Sequence, residues 1–442
     1  MSVLIVFIII ILMLFLALYS PPGFIYLILL VGGIPISLLT GPAIFLETFG
    51  GLNSQALFLF AVFLAVLLIV IINLQKATLV ILKHNIYLLF CFFAMLSLFW
   101  SNAGMESLRS YVKYVFPFIF YVMVVVSLAN NFKKIKVVEI IIYLAAISSI
   151  AIAILNVFSG GLFGPVKQTY GVLGLHTLAV PYMSPANFSF FLLVPGFLAL
   201  SKWLQDKDKL SLVVYIVISM SVILAFVRIG ILSYFVGSII VYFLLSKNNL
   251  FKVLVSSALL FVVVSSFFYL DQMKERMFYD PNTASYLDII NDPDKFISNL
   301  NTSGRLELWE SASREFKDSD IVLGSGSGSV DAWLGRYGHV NALHSDFYRL
   351  FLDLGLTGLI IYLAAIFQLI YVCVRSYKLG FIFRVNDAVI YSVVSIASIV
   401  TMLITMLTDN TLNYATEFGV YVYGVSALSY IHYRRMLAFK KS

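Results

Sequence analysis

Charge and cysteine are both scarce in this chain. Only 12% of its 442 residues are Asp, Glu, Lys or Arg, while 61% are hydrophobic and the mean hydropathy is +0.98. Soluble globular domains carry about 25% charged residues, so a water-soluble fold is excluded and an integral membrane protein is indicated. The two cysteines, Cys91 and Cys373, both fall inside apolar runs. They read as packing residues, and neither a disulfide framework nor a metal site is supported. No internal repeat, low-complexity tail or separate soluble domain stands out, and residues 1–442 read as one membrane domain. The first apolar run lacks a basic n-region and a small-residue cleavage site, so it is expected to be a retained helix.

What is abundant is apolar length. A helix needs roughly 20 mainly apolar residues to cross the hydrocarbon layer. Such runs occur near 2–19, 24–41, 56–73, 86–100, 111–129, 137–158, 187–202, 210–227, 229–246, 251–270, 347–374, 388–408 and 412–431. The fold class is therefore an all-α polytopic membrane protein with about 12–13 transmembrane helices. Basic residues cluster at alternate connections: Lys76 and Lys83, Lys133 to Lys136, Lys202 to Lys209, Lys247 to Lys252, Arg375 to Arg384, and Arg434 with Lys440 and Lys441. Basic loops stay cytoplasmic, so the opposite side receives 101–110, 159–186, the 227–229 connection, the long 271–346 loop and the turn at Asp409. The net charge of +7 is explained by this topology rather than by a nucleic-acid surface.

Candidate chemistry concentrates in the extracytoplasmic loop 271–346. Ser303 can cap a short helix with apolar positions Leu306, Trp309, Ala312 and Phe316, and Gly304 and Arg305 open it. Arg305 then lies beside free backbone N–H groups that favour anions, or it pairs with Glu307 or Glu310 on the surface. The run Leu323-Gly-Ser-Gly-Ser-Gly-Ser329 lacks the Gly-Lys-Ser/Thr ending of a nucleotide loop. Gly324, Gly326 and Gly328 therefore serve either a flexible connector or backbone N–H contacts to substrate. Arg228 stands in Ala225-Phe-Val-Arg-Ile-Gly230, a hinge too short to hide a guanidinium from the membrane boundary. It reads as a snorkelling side chain or, because outward arginines are unexpected, as a phosphate clamp. His344 precedes the helix that starts near Phe347 and could accept a proton from a hydroxyl near neutral pH, with Asp346 as a reserve base. Arg349 and Asp353, one helical turn apart, are expected to pair.

The order of Arg228 at a tight hinge, Ser303-Gly304-Arg305 with Trp309, Leu323-Gly-Ser-Gly-Ser-Gly328, and His344 followed by Gly355-Leu-Thr-Gly358 resembles the O-antigen ligase and O-antigen polymerase superfamily. The resemblance covers roughly 220–370 in motifs. One departure is Ser327, where relatives often have proline. Members resemble C-type glycosyltransferases and use a lipid pyrophosphate-linked glycan as donor, with no nucleotide sugar, metal or other cofactor required. The resemblance implies that Arg228 and Arg305 bind undecaprenyl pyrophosphate and that His344 activates the acceptor hydroxyl, with Ser303, Gly304, Gly324, Gly326, Gly328 and Asp346 in support. It implies as partners the lipid-linked glycan donor, a glycan or lipid A core acceptor, membrane lipids and polysaccharide assembly proteins, but no nucleic acid. The location implied is the bacterial cytoplasmic (inner) membrane with the reactive face outward. A polymerase is the favoured reading and a ligase the alternative. A glycolipid flippase is weaker, since transporters place ionisable groups at mid-membrane and here they gather at the boundaries.

Overall fold

The computed structural model describes residues 2–33, 48–49, 52–164, 169–170, 175–246, 304–337 and 342–441. These are helical apart from two antiparallel pairs of two-residue strands, Thr48–Phe49 with Leu52–Asn53 and Thr169–Tyr170 with Leu175–His176. In chain order the helices are α1 (Ser2–Tyr19), α2 (Pro21–Gly33), α3 (Ser54–Ile72), α4 (Leu74–Lys83), α5 (Asn85–Leu96), α6 (Met105–Leu128), α7 (Phe132–Phe158), α8 (Pro185–Asp206), α9 (Lys209–Leu224), α10 (Arg228–Leu245), α11 (Arg305–Glu315), α12 (Ser329–Tyr337), α13 (Asp346–Phe383), α14 (Asn386–Thr408) and α15 (Val420–Lys441).

Among the described residues, α6, α7, α8, α10, α13 and α14 are each long and apolar enough to cross a membrane. A seventh span arises if Leu59–Ile72 and Leu74–Lys83, bent by 101°, form one broken crossing. The chain is an integral membrane protein of the all-α polytopic class. Helix positions among the described residues follow the apolar runs closely, while residues 34–41 of the expected span 24–41, the expected span 251–270, the loop up to 303 and Ser303 itself lie outside the described residues. The last expected span, 412–431, is corrected: Thr411–Tyr414 is a 3-10 turn and Ala415–Gly419 a π turn, so the helix proper starts at Val420. The cause is polar: the Leu412 N–H is drawn to the Asp346 carboxylate at 2.8 Å, a bond to a side chain in place of an intrahelical carbonyl.

Two compact units divide the chain: residues 1–149 with 318–442, and residues 150–317. In the first, α13 packs on α5, α14 and α15, and α6 packs on α3 and α15. Basic groups from separate connections meet at one end of this unit. The Lys136 ammonium is 2.9 Å from Asp387 at the start of α14, Tyr26 donates to the Lys134 carbonyl at 3.1 Å, and Arg435 donates to the Ala129 carbonyl while lying over the Phe132 ring. Since α6 runs toward that end and α14 away from it, the start of α6 and the end of α14 lie at the other end, where the polar cluster described below is built.

In the second unit α8 packs on α9 and α10. Ser184 caps α8 through the Asn187 N–H at 3.0 Å, with Pro185 in the first helical position, and Asp208 caps α9 by accepting from Leu210 and Ser211. Gly230 and Gly237 let α10 approach α8, for a Cβ at either would overlap Ser189 or Phe197. Close helix contact through small residues is how spans associate where solvent supplies no hydrophobic drive.

Candidate active site

The two arginines singled out by the sequence both belong to the second unit, and each is the first residue of a helix. Arg228 opens α10 after the three-residue connection Ala225–Val227, in which Phe226 takes φ +51°. Arg305 opens α11 after Gly304, which takes φ +73° and makes no side-chain cap bond, while the expected cap residue Ser303 lies outside the described residues. That left-handed position suits glycine, which explains why the helix begins after Gly304. The expected apolar stripe of α11 is also corrected: Leu308 and Ala312 are buried, whereas Leu306 is 52% exposed. Both arginines are half-buried at helix starts, where unpaired N–H groups and the helix dipole favour negative charge.

His344 belongs to the first unit. It is half-buried and takes φ +58°, a left-handed conformation uncommon for a residue with a side chain. Its N–H donates to Asn410 Oδ1 at 3.1 Å. Ser345 follows as the cap of α13, its hydroxyl accepting the Tyr348 N–H at 3.3 Å. Asp346 is fully buried, and its second oxygen, Oδ1, has no hydrogen-bond partner among the described residues.

Beside these lies a buried ionic network whose full extent the sequence did not announce. Arg349, 1% exposed, donates to Asp331 at 2.5 Å, to Ser110 at 3.1 Å and to Asn413 at 2.9 Å, and its guanidinium lies 5.8 Å from the Tyr114 ring centre. Lys113 adds a second contact to Asp331 at 3.2 Å, and the Ser110 hydroxyl donates to the same carboxylate at 3.0 Å. The expected Arg349–Asp353 pair is present at 4.0 Å, and Asp331 on α12 adds a closer one that the spacing did not announce. Burial pushes the Asp331 carboxyl up, but the adjacent Arg349 and Lys113 outweigh it and hold the group below the usual carboxylate range.

Asp353 faces the glycine run instead. Its carboxylate accepts from the Gly328 N–H at 3.0 Å, the Val330 N–H at 2.9 Å and the Tyr114 hydroxyl at 2.7 Å. Its carbonyl accepts from the Gly326 N–H at 2.8 Å, and the Leu352 carbonyl from the Ser325 N–H at 2.9 Å. The remaining amides go to Asp320 (from Gly324), Ser97 (from Ser327) and Gly326 (from Ser329). Every N–H from Gly324 to Val330 is thus bonded inside the protein. The run is a packed plug rather than a connector, and its N–H groups are not laid open to a phosphate. It seats where α13 breaks at Gly355, φ +65°, ψ −173°. Beyond the break the Leu356 and Thr357 N–H groups donate to the Ile321 and Val322 carbonyls at 2.9 and 3.2 Å. A Cβ at Gly355 would overlap the Val322 carbonyl, and one at Gly328 the Glu106 carbonyl. Ser327 is buried with its hydroxyl 2.5 Å from that of Ser97, and its N–H donates to the Ser97 hydroxyl, a backbone bond that a proline at this position could not make.

Residues 213–363 match the family model described as O-antigen ligase. This segment is similar to O-antigen ligase. No curated protein matched the chain. The matched segment encloses Arg228, Arg305, the glycine plug, Asp331, His344, Asp346, Arg349 and Asp353. Of these, Asp331 was missed by sequence reasoning, as were Ser110 and Lys113 outside the domain. The available signal was Asp353, a carboxylate within an apolar run that has to find donors or be neutralised.

Proposed function

We propose that this protein is a membrane glycosyltransferase that polymerises oligosaccharide repeat units carried on undecaprenyl pyrophosphate, at the extracytoplasmic face of the bacterial inner membrane. The observation that carries the reading is the similarity to O-antigen ligase over 213–363, a segment that contains the two helix-opening arginines and the histidine before α13. The acceptor hydroxyl attacks the anomeric carbon of the donor sugar. The new glycosidic bond forms as the bond to the lipid pyrophosphate breaks, His344 takes the hydroxyl proton, and the leaving pyrophosphate keeps the electron pair. Arg228 and Arg305 neutralise the charge that grows on that leaving group, a task suited to the planar, permanently charged guanidinium. The activated donor supplies the driving force. The outward placement is supported by the lysine and arginine bias of the opposite loops.

A ligase, with the lipid A core as acceptor, is the second reading, favoured by the description of the matching family. Deleting the gene and resolving surface polysaccharide on a gel tests both. Loss of the ladder with single-unit addition retained supports the polymerase, and lipid-linked polymer that never reaches the core supports the ligase. An unchanged ladder overturns both.

A further inference from the structure

We infer that Asn410 is a positioning residue that holds His344 in its working orientation, an inference that rests on the reading of His344 as the acceptor-activating base. The residues around His344 are tied to the turn after α14 by three hydrogen bonds. The His344 N–H donates to Asn410 Oδ1 at 3.1 Å, Asp346 Oδ2 accepts the Leu412 N–H at 2.8 Å, and Arg349 Nη1 donates to Asn413 Oδ1 at 2.9 Å. Only the first acts on His344 itself, and it acts where the backbone is least content, at φ +58°. An L residue persists in that conformation when its surroundings over-determine it.

Asn410 is suited to the task because it is itself fixed. It is buried, its own N–H donates to Asp409 Oδ1 at 2.7 Å, and its carbonyl accepts the Asn413 N–H at 3.0 Å. The amide oxygen is therefore presented to His344 from a backbone that cannot easily swing away. On the other flank Ser345 caps α13 and Asp346 is locked to Leu412, so the chain is held on both sides of the Cα that carries the imidazole. Removing the Asn410 acceptor takes away this restraint on the His344 N–H and favours relaxation of the backbone toward negative φ, which redirects the side chain without touching its chemistry. A displacement on the order of 1 Å at a reacting group costs about a hundredfold in rate.

The test is glycan transfer by the full-length protein in proteoliposomes with purified lipid-linked glycan, comparing wild type, Asn410→Ala, Asn410→Leu, His344→Ala and Asn410→Ala with His344→Ala. The leucine variant keeps the number and branching of side-chain heavy atoms but not the acceptor, so the turn stays filled if alanine loosens it. The expected result is a kcat lower by about tenfold to a hundredfold in both single Asn410 variants, with KM for the donor within about twofold. In the His344→Ala background the Asn410 substitution should change the residual rate by less than about twofold, because a residue acting only through the imidazole is silent once the imidazole is gone. Wild-type turnover of the Asn410 variants, or a loss that adds fully to that of His344→Ala, overturns the positioning role and leaves the base assignment standing. Wild-type turnover of His344→Ala overturns the base assignment, and the inference with it.

Discussion

Asp353→Ala is the sharpest probe of how the glycine plug is held. The carboxylate is fully buried and accepts three hydrogen bonds, from the Gly328 N–H, the Val330 N–H and the Tyr114 hydroxyl, while standing 4.0 Å from the Arg349 guanidinium. Truncation strands two buried amides and a hydroxyl and takes a neighbouring negative charge from a buried arginine. Each stranded donor costs about 1–3 kcal/mol, and breaking a buried charge contact by removing one partner costs about 3–5 kcal/mol. These overlap and are not additive, and the plug can loosen to let water in, so about 3–5 kcal/mol is the expected total. For a domain of this size each kcal/mol moves the melting temperature by about 2–4 °C, so the apparent Tm in detergent should fall by on the order of 10 °C. Asp353→Asn keeps one acceptor oxygen and should lose less than half as much. Size-exclusion chromatography after graded heating reads the shift, since irreversible unfolding makes a transition temperature more accessible than an equilibrium free energy. A melting curve for Asp353→Ala that overlays the wild type would refute the view that this carboxylate closes the loop.

Three further outcomes are expected. Arg228→Ala and Arg305→Ala should each abolish glycan transfer while the protein still inserts and accumulates, with a loss of about 2–4 kcal/mol in transition-state stabilisation and only partial rescue by lysine; normal polysaccharide in both variants removes the clamp. Asp331 is held below the ordinary carboxylate range, so its contribution to stability is fully present above its unfolded pKa of about 4 and is lost as pH falls through the lower folded value. The gap in apparent Tm between wild type and Asp331→Asn should therefore be constant from neutral pH down to about 5 and narrow below about 4, and a gap independent of pH down to 2 contradicts this. A cysteine at the exposed Asp318 should react with an impermeant thiol reagent in spheroplasts and one at the exposed Lys378 should not, against a background in which Cys91 and Cys373 are buried; the reverse pattern places the proposed site in the cytoplasm.

The spans were legible because apolar length is a local property. α3 at Ser54–Ile72 and α14 at Asn386–Thr408 fall within a few residues of the runs 56–73 and 388–408. The tight connection before Arg228 was legible too, since two long apolar runs with almost nothing between them leave no other course. The Asp331 network was not. Arg349 lies 18 residues from Asp331, and Lys113 lies 218 residues from it. No period or spacing relates such residues before the helices are packed. The one local rule available, that charges four apart on a helix pair, pointed to Asp353 and named the weaker contact. The break at Gly355 was hidden for a similar reason. A glycine in an apolar run is common in spans, and only the chain that enters the gap, here residues 320–330, shows that the helix is interrupted.

The same network bears on how charge is divided within residues 213–363 and their surroundings. Arg349 and Lys113 contribute two positive charges and Asp331 and Asp353 two negative ones, so the group cancels itself, and the Arg349 Nη atoms and the Lys113 ammonium already donate to Asn413, Ser110 and Asp331. A self-neutral cluster of this kind is poorly suited to gripping a pyrophosphate, which would have to displace carboxylates already in place. It is well suited to fixing the start of α13, because Arg349 and Asp353 sit on that helix just before its break and are tied to α12, α6, the turn after α14 and the glycine plug. His344 stands two residues before the same helix. The buried charges thus read as the scaffold that gives the histidine a rigid base, and the proposal accordingly assigns the anion to Arg228 and Arg305, each at the start of a helix where the dipole favours it.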